Sequence, residues 1–171
     1  MAYASRAGST AEVAEVIGQV LREHGAEVDV CSVKDAPSVA GYDALVLGSA
    51  IWAGRPLPEA LRFATQQQPV LAGRPVAYFV LCERLRDDTP ANRAIARGFP
   101  APLERVQPPV SVALFAGKRD LSTTHPVVAW LLRHLFGIRN GDWRNWDEIR
   151  AWAAALAPLF ARPQPALAAA G

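Results

Sequence analysis

The feature that most constrains the fold of this chain is a repeated change in the spacing of its apolar residues. Some segments carry apolar side chains at helical spacing, and others carry them in the continuous or alternating runs typical of strands. The strand candidates are the first residues, 27–33, 43–48, 75–81 and 110–115, and the helix candidates are 11–24, 58–68, 92–98 and 147–159. This alternation predicts an α/β fold.

The predicted architecture is an open parallel sheet with helices on both faces. The run Pro75–Leu81 is continuously apolar, as a strand covered on both faces requires. In such sheets ligands bind beyond the carboxyl ends of the strands. We therefore expect the loops that follow the strands, at 5–10, 48–54, from Cys82 onward and at 116–122, to converge on one cleft.

Length and composition favour one cytoplasmic domain. The 171 residues suffice for a single core, predicted over 1–162, and the Ala- and Pro-rich residues 163–171 are predicted to be a disordered tail. A formal net charge of +2 without a basic block argues against a nucleic-acid partner. Cys31 and Cys82 lack metal-ligand spacing, which predicts two buried reduced thiols and no metal site. No segment has the pattern of a signal peptide or of a membrane-spanning helix.

The loop after the first strand has the composition of a phosphate pocket. Its residues are Ser5, Arg6, Ala7, Gly8, Ser9 and Thr10. The hydroxyls can donate to phosphate oxygens, Gly8 permits close approach of the backbone, and the start of the next helix offers free N–H groups. The loop has neither the lysine of a Walker A motif nor a three-glycine fingerprint, so a phosphomonoester such as that of FMN remains. The alternative is an ordinary strand-to-helix turn in which Ser and Thr cap the helix.

A second loop, Gly48-Ser-Ala-Ile-Trp-Ala-Gly54, carries a tryptophan that can stack on a planar ring. The alternative for Trp52 is a half-buried surface side chain. Together the two loops resemble the phosphate loop and the tryptophan-bearing flavin loop of the flavodoxin family. Further residues are similar to menaquinone-dependent protoporphyrinogen IX dehydrogenases, namely Thr89-Pro-Ala-Asn92, Phe115-Ala-Gly-Lys118 and the ending Gly141–Trp152.

The resemblance implies a flavodoxin-like three-layer sandwich with a five-stranded parallel sheet of order 2-1-3-4-5. It implies noncovalent FMN with its phosphate on residues 5–10. The flavin ring would lie between two loops, which contain Ser49, Ala50, Ile51, Trp52, Ala53 and Gly54 and then Cys82, Glu83 and Arg84. Because flavin supplies the redox chemistry itself, no catalytic side chain is assigned.

The chain departs from this family in its first strand. Only Met1 to Ala4 precede Ser5, whereas strands commonly have five or six residues. Either the native start lies upstream of Met1, which we favour, or the protein tolerates a short central strand.

The resemblance further implies an oxidoreductase of haem biosynthesis with a quinone acceptor and a porphyrinogen substrate. The apolar segment Val127–Ile138 is a candidate peripheral contact with the inner face of the membrane, or else packs inside the domain or in a homodimer. Two other functions remain open, an electron carrier without its own substrate and a flavin-free binding module.

The cluster Trp143, Trp146 and Trp152 is interpreted as packing that anchors the last helix to the sheet.

Overall fold

The structure is a computed structural model that describes residues 1–36, 38–119, 130 and 140–160. The strands are β1 (Ala2–Ala4), β2 (Cys31–Ser32), β3 (Leu45–Trp52), β4 (Arg55–Pro56), β5 (Val76–Cys82), β6 (Ser111–Ala116), β7 (Lys118–Arg119) and β8 (Gly141–Asp142). The α-helices are α1 (Ser9–Glu23), α2 (Pro58–Gln67), α3 (Pro90–Ala96), α4 (Ala101–Val106) and α5 (Trp146–Phe160). Short 3-10 turns occupy Val39–Gly41 and Glu83–Arg86.

The predicted parallel sheet is confirmed. Its strands lie in the order β2-β1-β3-β5-β6, which is the order 2-1-3-4-5 of the five main strands, and every neighbouring pair along it is parallel. The short β4 pairs antiparallel with the end of β3, and β7 and β8 form a separate antiparallel pair. Among the five main strands, successive strands lie side by side except for β2 and β3, which lie on opposite sides of β1. The strand order therefore reverses at β1.

Two apolar cores cover the two faces of the sheet. On one face, α1 and α5 pack against alternate residues of the strands, among them Val46 and Phe79. On the other face, α2 and α4 pack against the intervening residues, such as Leu47 and Tyr78. Because neighbouring strand residues point to opposite faces, a strand that serves both cores must be apolar throughout. All seven residues of β5 are buried, as the continuous run at 75–81 predicts.

The first strand is short, as expected, and it shortens its neighbour. β1 has three residues, and β2 pairs with it only through Ala2↔Cys31 and Tyr3↔Ser32. The predicted strand over 27–33 is therefore wrong in length. Since β2 lies at the edge of the described sheet and β1 is its one partner there, it cannot extend beyond the residues that β1 offers.

A cavity of about 730 Å³ lies at the amino end of β1. β3 begins its pairing with β5 at Leu45, whereas β1 begins its pairing with β3 only at Leu47. The cavity is lined by Met1, Val46, Phe160 and residues of the α1–β2 loop. This is the end of the sheet opposite the loops that were predicted to bind a ligand.

The predicted role of Trp152 is confirmed. Its ring lies edge-on to Phe115, with centroids 5.8 Å apart, and 6.2 Å from Phe79. The indole Nε1 donates a hydrogen bond of 2.9 Å to the hydroxyl of Ser111 on β6. Helix α5 is thus anchored to the sheet by an aromatic contact and by a polar one.

The short helix predicted over 92–98 begins earlier, at Pro90. The hydroxyl of Thr89 accepts a hydrogen bond of 3.2 Å from the backbone N–H of Asn92, and proline occupies the first helical position. Thr-Pro is a start signal of its own, and it outweighs the weak apolar spacing that placed the helix later. Helix α4 was not predicted.

Other predictions fall on parts of the chain that are not described. Segment 126–138 lies outside the described residues apart from Trp130, which is exposed, and the tail 163–171 lies outside them entirely. Among the described helices, none has both the length and the apolar content needed to cross a membrane.

Candidate functional site

The sheet register brings the three predicted binding loops to one edge. Ala4, the last residue of β1, pairs with Ser49, and Ala50 pairs with Leu81 on β5. The loops after β1, β3 and β5 therefore leave the sheet side by side, at its carboxyl edge and next to the point where the strand order reverses. Such an edge is where ligands bind in open α/β sheets.

The turn formed by residues 5–8 is stabilised by a hydrogen bond to the side chain of Ser5. The backbone N–H of Gly8 donates to the hydroxyl oxygen of Ser5 at 3.0 Å. Gly8 has φ +83°, in the left-handed region, and no atom of the neighbouring described residues lies within 4 Å of where its Cβ would be. The sharp turn requires this backbone conformation, which favours glycine. Because glycine has no side chain, the space beside the Gly8 backbone is left open. Arg6, Ala7 and Gly8 are all exposed.

Helix α1 starts directly at this loop without a side-chain cap. Gly8 is its N-cap, and as a glycine it has no side chain that could accept a hydrogen bond from the first turn. The alternative prediction, that Ser and Thr serve as caps, is therefore wrong. The first intrahelical bond runs from Glu12 N–H to Gly8 C=O at 3.1 Å, so the N–H groups of the first turn before Glu12 have no intrahelical acceptor.

Thr10 carries the most informative polar atom of the loop. Its side chain is 0 % exposed, and its Oγ1 has no hydrogen-bond partner among the described residues. Leaving a buried hydroxyl unpaired costs about 1–3 kcal/mol. The described protein therefore holds an unused hydrogen-bonding group in the first turn of α1.

The second loop is a tight hairpin between β3 and β4. Trp52 pairs with Arg55, and the two residues between them have positive φ, 49° at Ala53 and 75° at Gly54. Positive φ at both central positions is the signature of a type I′ turn, which matches the twist of antiparallel strands. Ala53 is the only residue other than glycine described with positive φ.

This hairpin holds Trp52 at the carboxyl edge, where 63 % of the side chain is exposed. The Arg6 guanidinium lies over the ring, 4.7 Å from its centroid. The side chain is thus at the surface, as the alternative expects, but it is more exposed than half-buried. Ala50 and Ile51 are half-buried, and they lead into the hairpin.

Ser49 is placed differently from its neighbours. It is fully buried, its hydroxyl donates to the Ala50 carbonyl at 2.8 Å, and it accepts from the Leu57 N–H at 2.9 Å. The side chain thus ties the two ends of the hairpin segment together. It shapes the second loop from inside.

The third loop begins at Cys82 and continues as a 3-10 turn. Cys82 is buried, and burial raises the pKa of its thiol against the opposing effect of the Leu85 and Arg84 backbone N–H groups. Glu83 forms an ion pair with Arg119, and Arg84 donates to the Asn92 side chain at 3.4 Å. Both charged side chains are exposed at the carboxyl edge.

The two cysteines are both free thiols. Cys82 is buried as predicted, but Cys31 is only half-buried because it lies on the edge strand β2. In the described ranges, no group of three or more His, Cys, Asp or Glu side chains could hold a metal ion.

One cluster at this edge was missed by the sequence interpretation. Arg144 binds Glu12 and Asp142, and Lys118 also binds Glu12. In the sequence interpretation Lys118 appears only as the end of the segment Phe115-Ala-Gly-Lys118 after the last main strand. No local sequence pattern links Arg144 to the start of α1, because Glu12 lies more than a hundred residues earlier in the chain.

Comparison with known proteins identifies the family. A sequence profile described as a flavodoxin domain matches residues 1–142. A search among curated proteins finds no match.

Solved structures share the fold at low sequence identity. A short-chain flavodoxin associated with a bacterial microcompartment superposes with a TM-score of 0.60 at 14 % identity, covering 94 % of this chain and 96 % of that one. The flavodoxin of Megasphaera elsdenii, in its two-electron reduced form, gives 0.56 at 18 % identity over 92 % and 96 % of the two chains. An archaeal flavodoxin gives 0.56 at 16 % identity over 93 % and 95 %.

The profile covers most of the chain, and the sheet order and carboxyl-edge loops described above agree with it. The chain belongs to the flavodoxin domain family.

Proposed function

We propose that this protein binds FMN noncovalently at the carboxyl edge of its sheet and transfers electrons. The observation that carries the proposal is the buried, unpartnered hydroxyl of Thr10 in the uncapped first turn of α1. A phosphate monoester fits this site because its oxygens can accept from that hydroxyl and from the free N–H groups of the helix start. Family membership supports a flavin as the molecule that carries this phosphate.

The phosphate would be held by Ser5, Arg6, Ala7, Gly8, Ser9 and Thr10. Gly8 leaves open space above the loop, and Arg6 contributes an exposed positive charge. Gly8 is also the N-cap of α1, so the loop leads directly into the free N–H groups of the helix start.

The flavin ring would lie between the β3–β4 hairpin and the loop that begins at Cys82. The exposed indole of Trp52 offers an apolar face for stacking, and the main chain at 50–53 and 82–84 can donate to or accept from the ring edge. Ser49 keeps the hairpin in position through its bond to Leu57. When bound, FMN supplies the hydride and single-electron chemistry, while these residues bind and orient it.

The test compares FMN with riboflavin, which lacks the phosphate. We expect wild-type protein to bind FMN more tightly than riboflavin. Thr10→Val should weaken FMN about tenfold and leave riboflavin unchanged, because one charge-assisted hydrogen bond is lost. Thr65→Val is the matched control, since its hydroxyl donates to the Leu61 carbonyl of its own helix, away from the loop 5–10. Folded protein that stays colourless with excess FMN would refute the proposal and favour the flavin-free module.

A second candidate is a dehydrogenase that oxidises a porphyrinogen and passes the electrons to a quinone. The observation that favours it is the set of exposed cations at the carboxyl edge, Arg6, Arg55 and Arg84, which suits a substrate with carboxylate groups. Anaerobic mixing of the FMN-loaded protein with protoporphyrinogen IX and a menaquinone analogue should then produce porphyrin fluorescence. FMN binding without that fluorescence would favour an electron carrier.

A further inference from the structure

A cluster of four charged side chains joins the start of α1 to the distant β7–β8 pair. Its members are Glu12, Lys118, Asp142 and Arg144. Glu12 belongs to the first turn of α1, which is the turn that carries Thr10. The cluster therefore connects the proposed phosphate site to residues that lie more than a hundred positions later in the chain.

Arg144 is the centre of the cluster. Only 3 % of its side chain is exposed. Its Nε and Nη2 donate to the two carboxylate oxygens of Asp142 at 2.8 and 2.6 Å, while Nη1 lies 2.8 Å from a carboxylate oxygen of Glu12. Nη1 also lies 3.4 Å from the carbonyl of Ser9, and the guanidinium lies 4.5 Å from the Trp146 ring centroid. The orientation of the guanidinium is thus determined from several sides.

The position of Glu12 gives this arrangement a consequence for anion binding. A carboxylate one turn into α1 repels a phosphate at the helix start unless its charge is compensated. Burial alone would raise the pKa of Glu12, but hydrogen bonds and charge from Arg144 and Lys118 lower it, so the carboxylate is ionised and paired. The Lys118 ammonium lies 3.3 Å from the second oxygen of Glu12.

We propose that Arg144 is a positioning residue of the phosphate site. It acts through Glu12: by compensating the charge of that carboxylate in the first turn of α1, it lets the loop 5–10 accept a phosphate monoester dianion. This inference rests on the proposed function, since it needs a flavin phosphate at that loop.

The first experiment measures FMN and riboflavin affinities of Arg144→Met by flavin fluorescence. We expect the Kd of FMN to rise at least tenfold and the Kd of riboflavin to change less than twofold, because only FMN carries the charge that Glu12 repels. Arg150→Met is the matched control, since it removes an exposed arginine from the neighbouring helix α5. An equal loss for both flavins would overturn the proposal and reduce Arg144 to a folding role.

The second experiment tests charge compensation directly. Adding Glu12→Gln to Arg144→Met removes the uncompensated carboxylate, so FMN affinity should return to within about threefold of wild type. Without such recovery the charge argument is wrong. Glu12→Gln by itself should bind FMN at least as tightly as wild type.

If Arg144→Met does not fold, the single variants Lys118→Met and Glu12→Gln test the proposed role of charge compensation instead. Lys118→Met should then weaken FMN but not riboflavin, and Glu12→Gln should not weaken either. Tenfold weaker FMN binding by Glu12→Gln, or no phosphate-specific effect of Lys118→Met, would overturn the inference. Failure of the wild-type protein to bind FMN would instead refute the proposed function, so the two outcomes are distinguishable.

Discussion

The guanidinium of Arg6 lies over the ring of Trp52, 4.7 Å from its centroid, and so connects the loop 5–10 to the β3–β4 hairpin. Cation–π contacts of this kind contribute about 0.5–1 kcal/mol at exposed sites. The contact occupies one face of an indole that is otherwise open to solvent. It links the two loops that are proposed to hold opposite ends of one flavin.

Trp52→Ala should weaken FMN and riboflavin by the same factor, about tenfold, because the indole would contact the ring that both flavins share. Fluorescence titration of both flavins measures the effect. Trp52→Phe is the control that keeps an aromatic face and should lose much less. Unchanged flavin affinity and unchanged reduction potential in Trp52→Ala would contradict the stacking role.

Gly48→Ala should destabilise the protein by about 1–3 kcal/mol, because a methyl group there has no space. A Cβ at Gly48 would lie 2.1 Å from the Phe79 ring, which is buried in the core beside Phe115 and Trp152. Urea unfolding followed by tryptophan fluorescence measures the change. Gly41→Ala is the matched control, since no atom lies within 4 Å of its Cβ position. Equal stability of the two variants would argue against this packing.

Ala53→Asn should stabilise the hairpin by about 0.5–1 kcal/mol. Ala53 has φ 49°, a conformation that costs an alanine about 1–2 kcal/mol and that asparagine tolerates better. The midpoint of thermal unfolding should therefore rise by a few degrees. Ala72→Asn, in an exposed turn without positive φ, should leave the midpoint unchanged. A lower midpoint for Ala53→Asn would mean that the turn is not of type I′.

Stability should fall between pH 10 and pH 12 because of Tyr78. Only 1 % of this residue is exposed, and burial, followed by the charge of Glu104, raises the pKa of its phenol to about 12. Below pH 10 the phenol is neutral in both states. Above pH 10 it ionises only in the unfolded chain, so about 2–3 kcal/mol is lost by pH 12.

Tyr78→Phe should flatten this alkaline loss, which denaturant unfolding at pH 9 and at pH 11.5 would detect. At pH 9 the variant should be less stable by about 1 kcal/mol, since the hydroxyl donates to the Gln107 carbonyl at 3.1 Å. An alkaline slope identical to that of wild type would assign the loss to other groups.

Local patterns were sufficient to predict most of the sheet and its helices. The run at 75–81 became β5, and residues 147–159 became α5, because each segment carries its own periodicity. The loop 5–10 was predicted as a phosphate site from Ser5, Gly8 and Thr10 in the same way, since all of them lie within one short stretch of chain. By contrast, residues 27–33 have strand alternation, and only Cys31–Ser32 pair.

The sequence by itself determined the α/β class and the loops that meet at the carboxyl edge, because these follow from side-chain spacing within short segments. The strand order was expected only from the resemblance to the flavodoxin family. Only the tertiary structure decided the length of β2, the inward hydroxyl of Ser49, and the ion pairs between Arg144 and Glu12. Each depends on a partner that is distant in sequence or on where a neighbouring strand ends. A pattern of residue types along the chain does not contain that information.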